Sequence, residues 1–164
     1  MPTSPNFQPD PAFMRLAIRE AREHLAAVEG GPFGACIVRG QEVLGLGHST
    51  VLKENDPSCH AEVNAIRLAC RRLGSYDLSG AAIYSTTEPC PMCFSAIHWA
   101  RFSHLVYGTA IADVATLGFN EMTIGNEEMR AAGKSPVNIY PDFLAGECRD
   151  LLRQWLDTPG RQVY

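Results

Sequence analysis

His60 stands two residues before Glu62 in "SCHAEVNAI", and Cys90 and Cys93 stand three apart in "TTEPCPMCFSAIHWA". One imidazole and two thiols are soft metal ligands, but ligands about thirty residues apart serve one ion only if the fold closes on them. That requirement constrains the chain more than any other feature. His60 and Glu62 are expected in the first turn of one helix, and Cys90 and Cys93 at the start of the next, just past the apolar run "AAIYSTT". Both helix starts must then meet at one edge of a sheet. Open α/β sheets build their sites there, and the backbone N–H groups favour anionic ligands such as thiolates.

The rest of the pattern fits such a frame. Asp10-Pro11 supplies an N-cap and a first-turn proline; Phe13, Ala17, Ala21, Leu25 and Val28 then share a helical face up to Gly30-Gly31. "FGACIVR" and "EVLGLGH" around Gly40-Gln41 predict a β-hairpin. Residues 49–58 read as a polar loop, with Asp56-Pro57 opening a helix that stops at Gly74. "AAIYSTT" is a third strand and "PMCFSAIHWA" a short helix. "HLVYG" is a fourth strand, residues 112–117 a short helix and "PVNIY" a fifth strand. "ECRDLLRQWL" is a last helix with Cys148, Leu151, Leu152 and Trp155 on one face. Strands alternating with helices after a hairpin predict one α/β domain, a mixed five-stranded sheet covered on both faces. Residues 1–10 are expected as a loose arm and residues 157–164 as a lid beyond the last helix.

Composition bounds the partners. Of 164 residues 46% are hydrophobic, enough for one core, and the net charge is -4. Non-specific nucleic-acid binding wants a basic face, which this balance does not supply. No stretch approaches the roughly eighteen consecutive apolar residues of a membrane span. The opening "MPTSPNFQPDP" lacks the apolar region of a secretory signal. A cytoplasmic location is expected, where the six cysteines point to metal binding or burial rather than bridges. Cys36, Cys70 and Cys148 fall in apolar runs and read as small core residues.

Structural zinc sites close with four protein ligands, whereas catalytic sites keep one position for water. Cys59 adjoins His60, but adjacent side chains on a helix point apart. His48, His98 and His104 stand at no paired ligand spacing. A closed structural clip and a C-x-x-C redox pair are the bland readings, and the redox pair leaves His60 and Glu62 unexplained. A catalytic zinc uses all four residues. Zinc lowers the pKa of a water it binds from about 15.7 to about 7, and a nearby carboxylate can take that proton and hand it to a leaving amine. This is hydrolytic deamination: oxygen adds to an amidine-like ring carbon and ammonia leaves.

H-x-E…P-C-x-x-C is the signature of zinc deaminases, and "HAE" with "PCPMC" completes it here. Beyond it, "GGPFGACIV", "NDPSCHAEVNAIR", "EPCPMCFSAIHWAR", "LGFNE" and a final tyrosine resemble bacterial guanine deaminases of the cytidine-deaminase fold, over roughly residues 11–164. The first three are partly shared with tRNA adenosine deaminases, while "IHWAR", "LGFNE" and the tyrosine favour the guanine branch. The resemblance implies a three-layer α/β/α fold. It implies one zinc per subunit on His60, Cys90 and Cys93, and a proton shuttle at Glu62. It implies guanine converted to xanthine, with Glu121 near the departing 2-amino group. Phe33 and Trp99 are implied as aromatic walls for the base, and Tyr164 as a residue closing over it. A homodimer with exchanged C-terminal segments is implied as well.

One position departs from that pattern. The family usually has Asn eleven residues before the zinc histidine, where its amide meets the base; here Ser49 stands there. A serine reaches less far and offers one hydroxyl. The substrate is therefore open among guanine, another nucleobase, a pterin, a triazine or a nucleoside. Two other functions compete: a tRNA adenosine deaminase, which the acidic charge and the closing tail oppose, and a non-catalytic zinc-stabilised binding module, which Glu62 and the missing fourth ligand oppose.

Overall fold

In the computed structural model, which describes residues 6–164, Asp10 accepts the Ala12 N–H at 2.8 Å and starts α1 (Pro11–His24). After a 3-10 turn at Leu25–Ala27, β1 (Gly34–Arg39) and β2 (Glu42–His48) form the expected hairpin, with Gly40 left-handed at its turn. β1 also pairs antiparallel with β3 (Ala82–Thr87). β3 runs parallel to β4 (His104–Thr109), and β4 parallel to β5 (Asn138–Tyr140). The sheet order is β2-β1-β3-β4-β5, so strand direction reverses between β1 and β3.

The short α2 (Val51–Glu54) precedes α3 (Ala61–Leu73). α3 and α4 (Pro91–Trp99) cover one face of the sheet; α1 and α7 (Ala145–Leu156) cover the other. This is the expected three-layer fold. On the α3 side Ile37, Ile83, Ile97 and Leu105 are fully buried; on the α1 side Met14, Cys36, Tyr84, Val106 and Cys148 are. Each such aliphatic side chain stabilises the fold by roughly 1.5–3 kcal/mol relative to exposure. α3 lies unusually close to β2 because β2 carries glycines under it. A Cβ on Gly47 would stand 2.5 Å from the Ala61 carbonyl oxygen, and one on Gly45 2.7 Å from that of Ala65. That close seat sets the height of the His60–Glu62 segment above the sheet.

Several local expectations are corrected. Asp56 does not open α3; its carboxylate accepts the Ser58 N–H at 2.8 Å and closes a turn, so the helix begins at Ala61 with His60 as N-cap. Residues 49–58 are not all loop, since α2 forms where the Leu52 and Lys53 N–H groups donate to the Glu29 carbonyl. α5 spans Ile111–Ala115, and α6 (Asn126–Gly133) forms in a segment without an apolar stripe. Cys70 is only half-buried, unlike Cys36 and Cys148. Of the expected loose arm, residues 1–5 lie outside the described residues. Phe7 is docked, its ring stacked on His104 at 3.8 Å, and the Asp10 N–H donates to the Tyr84 hydroxyl at 3.0 Å. Among the described residues no helix is long and apolar enough to cross a membrane.

Candidate active site

β3 and β4 end side by side, with Thr87 opposite Thr109, and the chain passes from β3 through residues 88–90 into α4. Cys90 is the N-cap of α4, as His60 is of α3, and neither side chain caps its helix. Both therefore point their ligand atoms elsewhere. His60 Nδ1 lies 3.6 Å from Cys90 Sγ and 3.5 Å from Cys93 Sγ. Around a tetrahedral ion with Zn–N of about 2.0–2.1 Å and Zn–S of about 2.3 Å, the N···S edge is about 3.5 Å, so this donor set fits zinc. Hydrogen bonding from Cys93 and then His60 holds the Cys90 thiol well below its ordinary range, against its burial, which favours the thiolate a metal needs.

The remaining histidines are engaged elsewhere. His48 sits between Glu20 at 2.8 Å and Glu29 at 2.7 Å, with the His24 ring stacked on it at 3.6 Å. His98 bonds Ser135 at 2.9 Å. Among the described residues two groups could hold a metal, Glu20 with His24 and His48, and His60 with Cys90 and Cys93; the second is a three-ligand set with one position open.

Glu62, in the first turn of α3, is 6% exposed. Burial pushes its carboxyl above the ordinary range. Ser85 Oγ lies 2.9 Å from Glu62 Oε1 and 2.6 Å from the Thr87 carbonyl oxygen. When Ser85 donates to Thr87, a protonated Glu62 can donate to the Ser85 oxygen; when Glu62 is ionised, Ser85 can donate to it instead. Both protonation states are accommodated without moving a heavy atom, which suits a proton carrier. Glu121 faces the same space from the loop after α5; burial first, and the Cys90 charge second, push its carboxyl up to about 7.

These groups open into a cavity of about 440 Å³ whose lining includes Phe33, His60, Glu62, Cys90, Phe119, Glu121 and Tyr164. Phe33 and Phe119 meet edge to face at 5.2 Å, and the Tyr164 ring lies 5.3 Å from Phe119 and 6.4 Å from the His60 ring. The tail beyond α7 thus reaches the site of its own chain. The Asn120 N–H donates to the Tyr164 main-chain oxygen at 2.9 Å, and the Gly31 N–H donates to the Tyr164 hydroxyl at 3.0 Å. Two expectations are corrected here. Ser49 is 1% exposed and does not line the cavity; its short side chain stops at the Tyr164 hydroxyl, 2.6 Å away. Trp99 ends α4 on the outer surface, 79% exposed, and lines a separate hollow with Tyr76 and Phe102, so it is no wall of this cavity.

Sequence reasoning passed over Ser85, Phe119 and Glu88. Ser85 could have been found from strand alternation, which puts it on the same face of β3 as Ile83, the face that α3 covers. Phe119 and Glu88 stand inside stretches already singled out, "LGFNE" and "TEPCPMC", but no spacing rule assigns them a role.

A zinc-deaminase class is what this fold and this site define together. The chain belongs to the cytidine and deoxycytidylate deaminase family: the model of its zinc-binding region matches residues 8–109, which include His60, Glu62, Cys90 and Cys93. Within that class, the chain is similar to guanine deaminase of Bacillus subtilis (strain 168), 41% identical over 152 residues, 93% of this chain and 97% of the relative. It is also similar to a tRNA-specific adenosine deaminase of Agrobacterium fabrum, 42% identical over 143 residues, 87% and 91% of the two chains. The solved structure of guanine deaminase from Nitrosomonas europaea superposes with a TM-score of 0.80 at 26% identity, covering 91% of this chain and 85% of that one.

Proposed function

We propose that this chain is a zinc-dependent aminohydrolase of free purine bases that converts guanine to xanthine and ammonia. The observation that carries the reading is the Tyr164 tail over the Glu62–Glu121 cavity, tied down at both its phenol and its main chain. A cavity of about 440 Å³ with the tail tied across it supports a free base over a tRNA loop, a distinction that overall identity does not make.

His60, Cys90 and Cys93 would hold the zinc, which would supply the Lewis acidity that makes water a nucleophile at neutral pH. Glu62 accepts a proton from the attacking water and delivers it to the leaving nitrogen. A C–O bond forms at the ring carbon bearing the amine, the C–N bond breaks and ammonia departs. Glu121, which faces the same cavity, meets the amine and carries a second proton. Phe33 and Phe119 flank the ring plane, and the Tyr164 hydroxyl takes the place of the amide that Ser49 lacks. A homodimer is part of the proposal: it would cover Trp99 and Tyr76, large side chains left 79% and 67% exposed.

Ammonia release from guanine, adenine, guanosine, a pterin, a triazine and a tRNA anticodon stem-loop tests this. Guanine is expected to be the best substrate and the stem-loop inert; a stem-loop converted faster than any base would overturn the reading.

A further inference from the structure

The chain leaves β4 after Thr109 and makes an excursion, residues 111–126, that carries Phe119, Asn120 and Glu121. Both ends of the excursion are helix starts, Ile111 for α5 and Asn126 for α6. The first N–H groups of a helix have no partner inside it. Here one side chain takes both. Glu88 Oε2 accepts the Ile111 N–H at 3.1 Å, and Glu88 Oε1 accepts the Asn126 N–H at 2.8 Å. A Cβ on Gly125 would already stand 3.3 Å from Oε1, so the approach is close.

Glu88 is itself held. Its N–H donates to the Thr109 carbonyl at 2.7 Å, and the Asn126 side-chain amide, 0% exposed, donates to the Pro89 carbonyl at 2.7 Å. Glu88 is two residues from Cys90. One short segment therefore sets a metal-ligating thiol and, through a carboxylate, both ends of the loop that presents Glu121. Asn120 passes the same constraint to Tyr164.

We infer that Glu88 is a positioning residue: its carboxylate staples the excursion at both ends and so fixes where Glu121 and Tyr164 stand against the substrate. The inference rests on the role given to Glu121 under the proposed function. Glu88→Gln keeps one acceptor and turns an amide N–H toward the other helix start; Glu88→Ala keeps neither.

The test crosses Glu88→Gln with Glu121→Gln in zinc-loaded protein and follows amide hydrogen exchange in Glu88→Ala and Glu88→Gln. Glu88→Gln is expected to lower kcat/KM for guanine on the order of ten- to a hundredfold, mostly in kcat, because small misplacements at a site are costly. In the Glu121→Gln background the same change should cost at least about threefold less than in the parent, since one of the two groups it positions has already lost its function. Zinc content should not change. Exchange across residues 111–126 should rise about tenfold or more while β3 and β4 stay protected. Additive losses in the cycle, or unchanged exchange across 111–126, would overturn the inference. If the parent releases no ammonia from guanine, the functional reading has failed, and exchange alone still decides the staple. If Glu88→Ala does not fold, Glu88→Gln decides it.

Discussion

Glu62 and Glu121 face one cavity with different surroundings, and in the proposed mechanism that difference divides the labour. Glu62 is enclosed and shares its oxygen with Ser85; Glu121 sits on a loop, half-buried, with its carboxyl pushed up to about 7. Glu62→Ala should lose on the order of a hundredfold or more in kcat, the usual worth of a general acid–base group, yet keep its zinc. Steady-state rates with metal analysis check this, and loss of the metal would mean Glu62 is a ligand. Glu121 gives a pH prediction for the zinc-free chain. Its carboxyl titrates near 7 when folded against an ordinary 4.5, chiefly through burial. The folded chain keeps a proton there that the unfolded chain has released. The stabilisation is full below the ordinary value and is lost as pH rises through about 7. Glu121→Gln has no such proton. Its Tm should therefore gain on the parent's between about pH 5 and about pH 8, and a pH-independent difference would contradict the assignment.

At the scale of elements, the site depends on how α3 and α4 are seated. Gly47→Ala would place a Cβ 2.5 Å from the Ala61 carbonyl oxygen, one residue from His60. The helix must lift, at a cost of about 1–3 kcal/mol for overpacking of this kind. Denaturant unfolding should report that loss, and zinc competition should report weaker binding, because His60 moves with the helix. A variant with unchanged stability and zinc affinity would show that the glycine is not needed. The strands, α1, α3 and the candidate metal group of His60, Cys90 and Cys93 were legible in the sequence because period, caps and ligand spacing are local signals. α6 was not: "NEEMRAAG" has no apolar stripe, and its start is fixed by the distant Glu88. Nor was the true beginning of α3, since Asp56 prefers a turn with Ser58 two residues on. The fates of Ser49 and Trp99 were equally hidden. Ser49 stops at Tyr164, far away in sequence, and the length of α4 carries Trp99 past the cavity and out to the surface.

Across the whole molecule, the N-terminal half and the last residues meet at the site: the Gly31 N–H and the Ser49 hydroxyl bond the hydroxyl of Tyr164, and the Asn120 N–H its main chain. Deleting residues 160–164 should leave the fold and zinc content intact, because neither core cluster on the sheet faces includes the tail. It should lower kcat/KM for guanine by about tenfold or more, as loss of a water-excluding lid does, while sparing bulkier nucleosides. A truncated chain as active and selective as the parent would contradict the lid. If zinc on His60, Cys90 and Cys93 makes this chain a guanine aminohydrolase, the metal-free chain titrated with zinc should form xanthine from guanine at a rate that rises in proportion to zinc and levels off at about one ion per chain. No xanthine at full zinc loading, or equal activity without the metal, would contradict it.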